Sequence, residues 1–592
     1  MNDFIFGTLA TDELRLALVR NRLAGVTHIQ RRNPRDPLPG EAITLQLSVG
    51  PGQPGESAWV YWTSDGSDPV GSLGQAEVGH AARMDFIGES WEMLLWGYVR
   101  HFSITLPGFP EGSVFRYRVS AGGVNGQETW ADQGAYYACY IADDPPPAWV
   151  RQAVVYQVFV DRFNPGSEHV WFAPETPAGF YGGRIRGITE KLDYIAALGA
   201  NVLWLTPIFP SPSHHGYDAT DLFEVEPRLG TKGDLQALLA AAHQLGMRVL
   251  LDFVPNHWSH LHATFKDAIR SPDSAYRDWY IFNHWPDDYE SFFGVKELPQ
   301  VNLRNPAARQ SMLDAAAYWL DFGVDGYRVD YALGPTPDFW AEFRRVTRTV
   351  KPECWTFGEV VEPSEAQRNF EGGLDGCLDF ILLEGLRRAF AFNEWSGSQL
   401  ADFLLRHESY FPASFTRPSF LDNHDMNRFL WAARGNKRKL RLAALCQFTL
   451  AGPPVIYYGT EVGLSQVRDV RQGSLGLPEE SRLPMLWGSA QDQNLLTEYQ
   501  RLAELRRDYP VLSEAGLQVI YADRSSLAYQ RGHAHDALCV VLNLSDKTHP
   551  VAVPGNFNQV RLAMGMYDAS NRPSGEILIN LEGLAGLVLV QA

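Results

Sequence analysis

Apolar positions along this chain change texture twice. Up to the Pro145-Pro146-Pro147 run they alternate with polar ones in short segments, such as Ile43-Thr44-Leu45-Gln46-Leu47-Ser48-Val49 and Ser103-Ile104-Thr105-Leu106, separated by Pro-Gly and Asp-Gly turns. Alternation of period two belongs to strands with one buried face, and it predicts a β-sandwich over residues 1–148. Helical spacing at Thr11 to Leu23 predicts a short helix ahead of it. From Val154 onward short apolar runs take turns with helical patterns. Strands are predicted at Val154–Val160, Asn201–Thr206, Arg248–Val254, Gly326–Tyr331, Trp355–Val360, Leu378–Leu382, Pro418–Asp422 and Val455–Gly459. Helices are predicted between most of them, at Ile188–Leu198, Leu235–Leu245, Ala307–Phe322, Asp338–Val350 and Lys439–Leu450. Eight strand–helix units fit a (β/α)8 TIM barrel over residues 149–510 better than an open sheet. The connection after the third strand is too long for a simple loop and reads as an inserted lobe at about 256–304. After Tyr509-Pro510 alternation returns, predicting a C-terminal β-sandwich over 511–592.

Composition narrows the function. The 592 residues exceed what one core can organise. A net charge of -18 repels nucleic acid and anionic membranes, so neither is an expected partner. Five cysteines without CxxC spacing point to reduced core thiols rather than a disulfide framework or zinc site. The N-terminal run Met1 to Gly7 has no basic segment followed by an apolar one, which makes a cytoplasmic location the expectation. No GxGxxG or GxxxxGKS loop follows a strand, so nucleotide binding has no support. Trp59, Trp62, Trp91, Trp96 and Trp130 are expected mainly in the core of the first domain, the other use of such rings being to stack on sugars.

Candidate chemistry lies at the strand ends. In a barrel the C-terminal ends of the strands converge on one face. The third strand ends in Asp252-Phe253-Val254-Pro255-Asn256-His257, the fourth in Arg328 and Asp330, the fifth in Gly358-Glu359, and the seventh in Leu421-Asp422-Asn423-His424-Asp425. Any one of these could be a cap or a structural ion pair, but the concentration of acids is more than caps require. Paired carboxylates are the machinery of glycoside hydrolysis, one protonating the leaving oxygen and the other attacking the anomeric carbon. Asp330, two residues from Arg328 on one strand face, is expected to stay ionised and suits the nucleophile. Glu359 sits between apolar residues with no adjacent cation in sequence, so a raised pKa and the acid role are expected of it. No HExxH spacing supports a zinc hydrolase.

These stretches resemble those of the α-amylase family of retaining glycoside hydrolases. Further matches are Tyr156-Gln157-Val158-Phe159-Val160-Asp161-Arg162-Phe163, His215-Gly216-Tyr217-Asp218 and Gly452 to Glu461. The resemblance implies Asp330 as nucleophile, Glu359 as acid/base and Asp425 as transition-state stabiliser. It also implies Tyr217, Asp218, His257, Arg328 and His424 as substrate-binding residues, with Asp252 and Asn256 in support. A sandwich ahead of the barrel and Leu298-Pro299-Gln300-Val301-Asn302 are similar to the neopullulanase, cyclomaltodextrinase and maltogenic amylase group, which implies an α-glucan substrate and a homodimer.

Two departures stand out. Three and four residues after the nucleophile, where α-amylases carry Lys-His and the neopullulanase group Asn-Glu, this chain has Leu333 and Gly334. Asn256 matches one residue of the family's calcium site, but no complete ligand set is evident, so the sequence itself requires no cofactor and leaves calcium as an open expectation of the resemblance. The readings are a hydrolase of α-1,4-glucans or cyclodextrins, a glucosyltransferase of the same fold, or a non-catalytic relative that would have lost one of the three acids.

Overall fold

The computed structural model describes residues 12–123, 126–362, 364–471, 478–514, 516–533 and 536–591. The N-terminal residues from Met1 through Thr11 lie outside them. The expected first helix runs Asp12–Ala24, leaving Leu16, Leu18 and Val19 exposed. Between Val26 and Tyr140 nine strands join in one antiparallel sheet, and two more form a separate hairpin, Val70–Ser72 with Gln75–Val78. They close on a core of Ile43, Leu45, Leu47, Val60, Phe115 and Val119, the alternate residues that period two turns inward. None of the five tryptophans is fully buried there, and Trp91 and Trp96 stand on a hairpin tip with 48% and 79% of their surface exposed. The core expectation fails for Trp91 and Trp96, which meet each other at the solvent end of the hairpin, whereas Trp62 packs against the core.

The barrel strands are Val155–Val158, Val202–Leu205, Arg248–Phe253, Gly326–Val329, Trp355–Gly358, Gly376–Cys377 and Val455–Tyr457, all parallel. They are ordered so that the last pairs with the first. The sixth strand is shorter and earlier than the predicted Leu378–Leu382. Asp379 accepts a hydrogen bond from Leu382 N and starts the helix Phe380–Leu386, which takes that apolar run. The seventh is no ladder. Segment 416–419 closes the wall through single bridges, Thr416 to Gly376 and Ser419 to Pro454. The expected helix Ile188–Leu198 is two short ones, Ile185–Thr189 and Leu192–Ala197. The others hold within a few residues; Thr231 with Asp234 caps Lys232–Gln244, Asn305 caps Pro306–Phe322 and Asn436 caps Lys437–Phe448, while Phe339–Val350 starts at Asp338 without a side-chain cap.

Trp204, Leu250, Trp355, Phe357 and Phe420 fill the barrel, and a larger apolar layer packs the helices around it. The inserted segment holds the helix Ala263–Ala268 and a small hairpin, and is tied back by bridges from His257 to Gln300 and Tyr280 to Val301. Beyond residue 516 a five-stranded and a three-stranded antiparallel sheet enclose a second sandwich core that includes Cys539, Val541, Val551 and Leu587. All five cysteines are buried free thiols. Among the described residues no helix is long and apolar enough to cross a membrane.

Candidate active site

Register brings the first pair of charges together. Strands Arg248–Phe253 and Gly326–Val329 run parallel with Asp252 opposite Arg328, so the acid and the guanidinium point into the barrel at one level. Arg328 Nη1 donates to Asp252 Oδ1 at 2.6 Å and to Asp330 Oδ1 at 2.8 Å. Its Nη2 lies 2.7 Å from Glu359 Oε1. Glu359 therefore does have a cation beside it, contrary to the expectation from its sequence neighbours. The cation comes from the adjacent strand, where Glu359 N bonds Val329 O at 2.8 Å.

Four acids share this buried space with few cations, and their protons respond. Burial raises Asp330 to about 7 against the pull of Arg328, with Asp252 and Asp425 adding to the rise. Glu359 is likewise raised to about 7 by burial, opposed by Arg328. The expected split between a low Asp330 and a high Glu359 is thus absent, because one guanidinium serves both. Asp252 is raised to about 6, again by burial. Asp425 differs. Although burial opposes its charge, His424 and Arg482 hold it well below the usual carboxylate range. Arg482 Nη2 donates to Asp425 Oδ1 at 2.9 Å, and its Nε to His424 O at 2.8 Å.

Tyr217 covers the cluster. Its hydroxyl donates to Asp252 Oδ2 at 2.9 Å and lies 2.5 Å from His424 Nε2, and the two rings stack with planes 2° apart. The other face of the imidazole region is fixed by Gln157, whose amide nitrogen is 2.9 Å from His424 Nδ1. Trp204 Nε1 donates to Asp252 Oδ2 at 3.2 Å. His257 is buried, which lowers it to about 4, and its Nε2 has no hydrogen-bond partner. Asp218 is placed differently: its Oδ1 accepts from the hydroxyls of Ser211 and Ser213, bracing the loop that carries Tyr217.

Asn256 Oδ1 is a buried oxygen without a hydrogen-bond partner. It lies so close to Gly334 that a Cβ there would stand 1.9 Å away. Among the described residues no group of three His, Cys, Asp or Glu side chains could hold a metal ion. Asn256 thus has no such carboxylate cluster beside it among these residues to complete a calcium ligand set.

After Asp330 the chain turns sharply. Tyr331 has φ 37°, and its ring meets Phe292 and Phe293 of the inserted segment at 5.0 and 5.3 Å between centroids. Its backbone N–H donates to Glu359 Oε2 at 3.3 Å. Arg482 and Trp204 were not legible as site residues. Trp204 reads as one apolar residue of a buried strand, and Arg482 lies in an irregular run with no periodic signal. Gln157, inside a matched motif, carried a signal but no assignable role.

A barrel whose strand ends gather acids around one arginine, covered by an aromatic ring, defines the class: an α-amylase-type glycosidase. Residues 157–508 match the α-amylase catalytic-domain family. The chain is 38% identical over 428 residues to α-amylase 2 of Dictyoglomus thermophilum, covering 72% of this chain and 75% of that one. It is 32% identical over 454 residues to a cyclomaltodextrinase of Geobacillus thermopakistaniensis, with 72% and 75% covered. Among solved structures, the type III pullulan hydrolase from Thermococcus kodakarensis superposes with a TM-score of 0.68 at 25% identity, over 96% of this chain and all of that one. The chain belongs to the α-amylase family, within the cyclomaltodextrinase and neopullulanase group.

Proposed function

We propose that the protein cleaves α-1,4-glucosidic bonds in maltooligosaccharides, starch, cyclodextrins or pullulan through a covalent glycosyl-enzyme. The carrying observation is the grip of Arg328 on both Asp330 and Glu359. Two carboxyls raised together near neutrality share a proton, so one can attack while the other donates. Asp330, hydrogen-bonded by Arg328, attacks C1. Glu359 gives its proton to the glycosidic oxygen, the bond breaks and the leaving sugar departs. The Glu359 carboxylate then takes a proton from water, which attacks C1 and releases Asp330. Asp425, kept an anion by His424 and Arg482, faces the positive charge that develops on the ring. Tyr217 offers its ring to the apolar face of that sugar, His257 offers its unpartnered Nε2 to a hydroxyl, and His424, both nitrogens engaged by Gln157 and Tyr217, holds the Tyr217 ring in place. The names of the relatives, a cyclomaltodextrinase and a pullulan hydrolase, support the substrate range.

A second reading, transfer of the glycosyl group to a sugar, draws on the acceptor side. There Leu333, Tyr331, Phe292 and Phe293 present apolar surface beside Asp330. A product profile on starch, β-cyclodextrin, pullulan, maltotriose and sucrose separates the two readings. The first-formed product is expected to keep the α configuration by NMR. Asp330→Asn is expected to lower kcat by at least about 10⁴-fold with the fold intact. An inverted product, or near-normal turnover in that variant, would reject the mechanism.

A further inference from the structure

Where the N-terminal sheet meets the barrel, a cleft of about 520 Å³ is lined by Arg31, Arg32, Arg35, Arg368 and Glu371 among others. Four guanidinium groups on one cleft are unusual in a chain of net charge -18. Two of them have a carboxylate: Arg35 pairs with Glu365 at 2.6 Å, and Arg368 with Glu371 at 2.6 Å. The other two do not. Arg31 donates to His28 O, Thr27 O and Ser48 Oγ, and Arg32 to Arg35 O twice and Ala138 O. Carbonyls and a hydroxyl satisfy these N–H groups without a carboxylate in direct contact.

The nearest acids are engaged elsewhere. Asp132 accepts from His28 N, Ile29 N and Tyr137 Oη, and Asp36 from Arg344. Burial draws the Arg31 guanidinium below its ordinary value against the pull of Asp132, whereas Arg32, although only 4% exposed, is held above its ordinary value by Cys139, Tyr117 and Asp36. No aromatic ring lines the cleft, so it lacks the stacking surface a neutral sugar needs.

We propose that this cleft binds a phosphate-type dianion, held by Arg31 and Arg368 from its two walls. Guanidinium forks match tetrahedral oxyanions with paired N–H donors. Arg32 contributes charge from below, and Arg368 has nitrogens beyond the one committed to Glu371. The walls belong to different parts of the molecule, the strand Arg32–Asn33 and the helix Ser364–Arg368, so the anion would tie them together. On that helix Gln367 donates to Val360 O at 2.9 Å, next to Glu359, giving the cleft a physical link to the active site.

The test is calorimetric titration of the full chain with inorganic phosphate at constant ionic strength set by chloride, repeated with a hexose monophosphate. Saturable binding of either is expected, weakened about tenfold or more in Arg31→Gln and in Arg368→Gln. Tighter binding of the hexose monophosphate would assign the ligand as a phosphorylated sugar, and equal binding would assign the free ion. Each supports the site. Absence of saturable binding to folded protein, or equal binding in both variants with unchanged melting, overturns it. The measurement does not involve glucan turnover, so it stands or falls independently of the proposed reaction.

Discussion

Asp330, Glu359 and Asp252 hold their protons to about 7, 7 and 6, which ties stability to pH. A carboxyl raised on folding binds more protons in the folded than in the unfolded chain between its two pKa values. Stability from these groups is therefore greatest in mild acid and declines as pH rises from about 4 through 7. Asp330→Asn removes one buried charge and leaves Arg328 with Asp252 and Glu359. The variant is expected to be more stable than the parent above neutrality, by on the order of 1–3 kcal/mol, and to lose that advantage below about pH 4. Denaturant melts at three pH values would check it. A variant less stable at pH 8 than the parent would mean that the Arg328–Asp330 bond outweighs the burial cost. What the sequence could show at this scale was which acids gather at the strand ends. It could not show their charge states, because the cation that governs Glu359 is a neighbour only across the sheet.

The segment Tyr331 to Gly334 departs from the relatives, and its packing gives a reason. Any side chain at Gly334 would collide with Asn256 Oδ1, so the polar residue that the neopullulanase group carries at this position has no room. Gly334→Ala is expected to lower Tm by several degrees, since Asn256 is anchored through its carbonyl to Val301 N. Combining it with Asn256→Ala should recover most of the loss, and a thermal melt of the three proteins decides. Elsewhere, element identity was legible where a pattern was long. The 17-residue helix Pro306–Phe322, with Asn305 ahead and Gly323 behind, was placed almost to the residue. Leu378–Leu382 was misassigned, because a short segment with four apolar residues looks alike in a buried strand and a buried helix, and the deciding feature was the Asp379 side chain inside it.

For the whole molecule, three textures of periodicity sufficed to order sandwich, barrel and sandwich, since each needs a different spacing of buried residues. The wall of the barrel was less legible. Thr416 to Ser419 closes it with a few backbone hydrogen bonds, and from there the chain runs to Asp425 without a ladder. Outside this joint lies the helix Lys437–Phe448, against which the C-terminal sheet packs, Gly586 sitting under Leu442 and Leu445. The third and fourth strands, which carry Asp252 and Arg328, are joined by continuous pairing instead. Such a ring has a fastening, and the fastening sits beside Asp425. On slow heating it should come undone ahead of the rest, so that turnover disappears several degrees before the far-ultraviolet circular dichroism changes. Coincident loss of the two would show a wall as strong at its clasp as along its length.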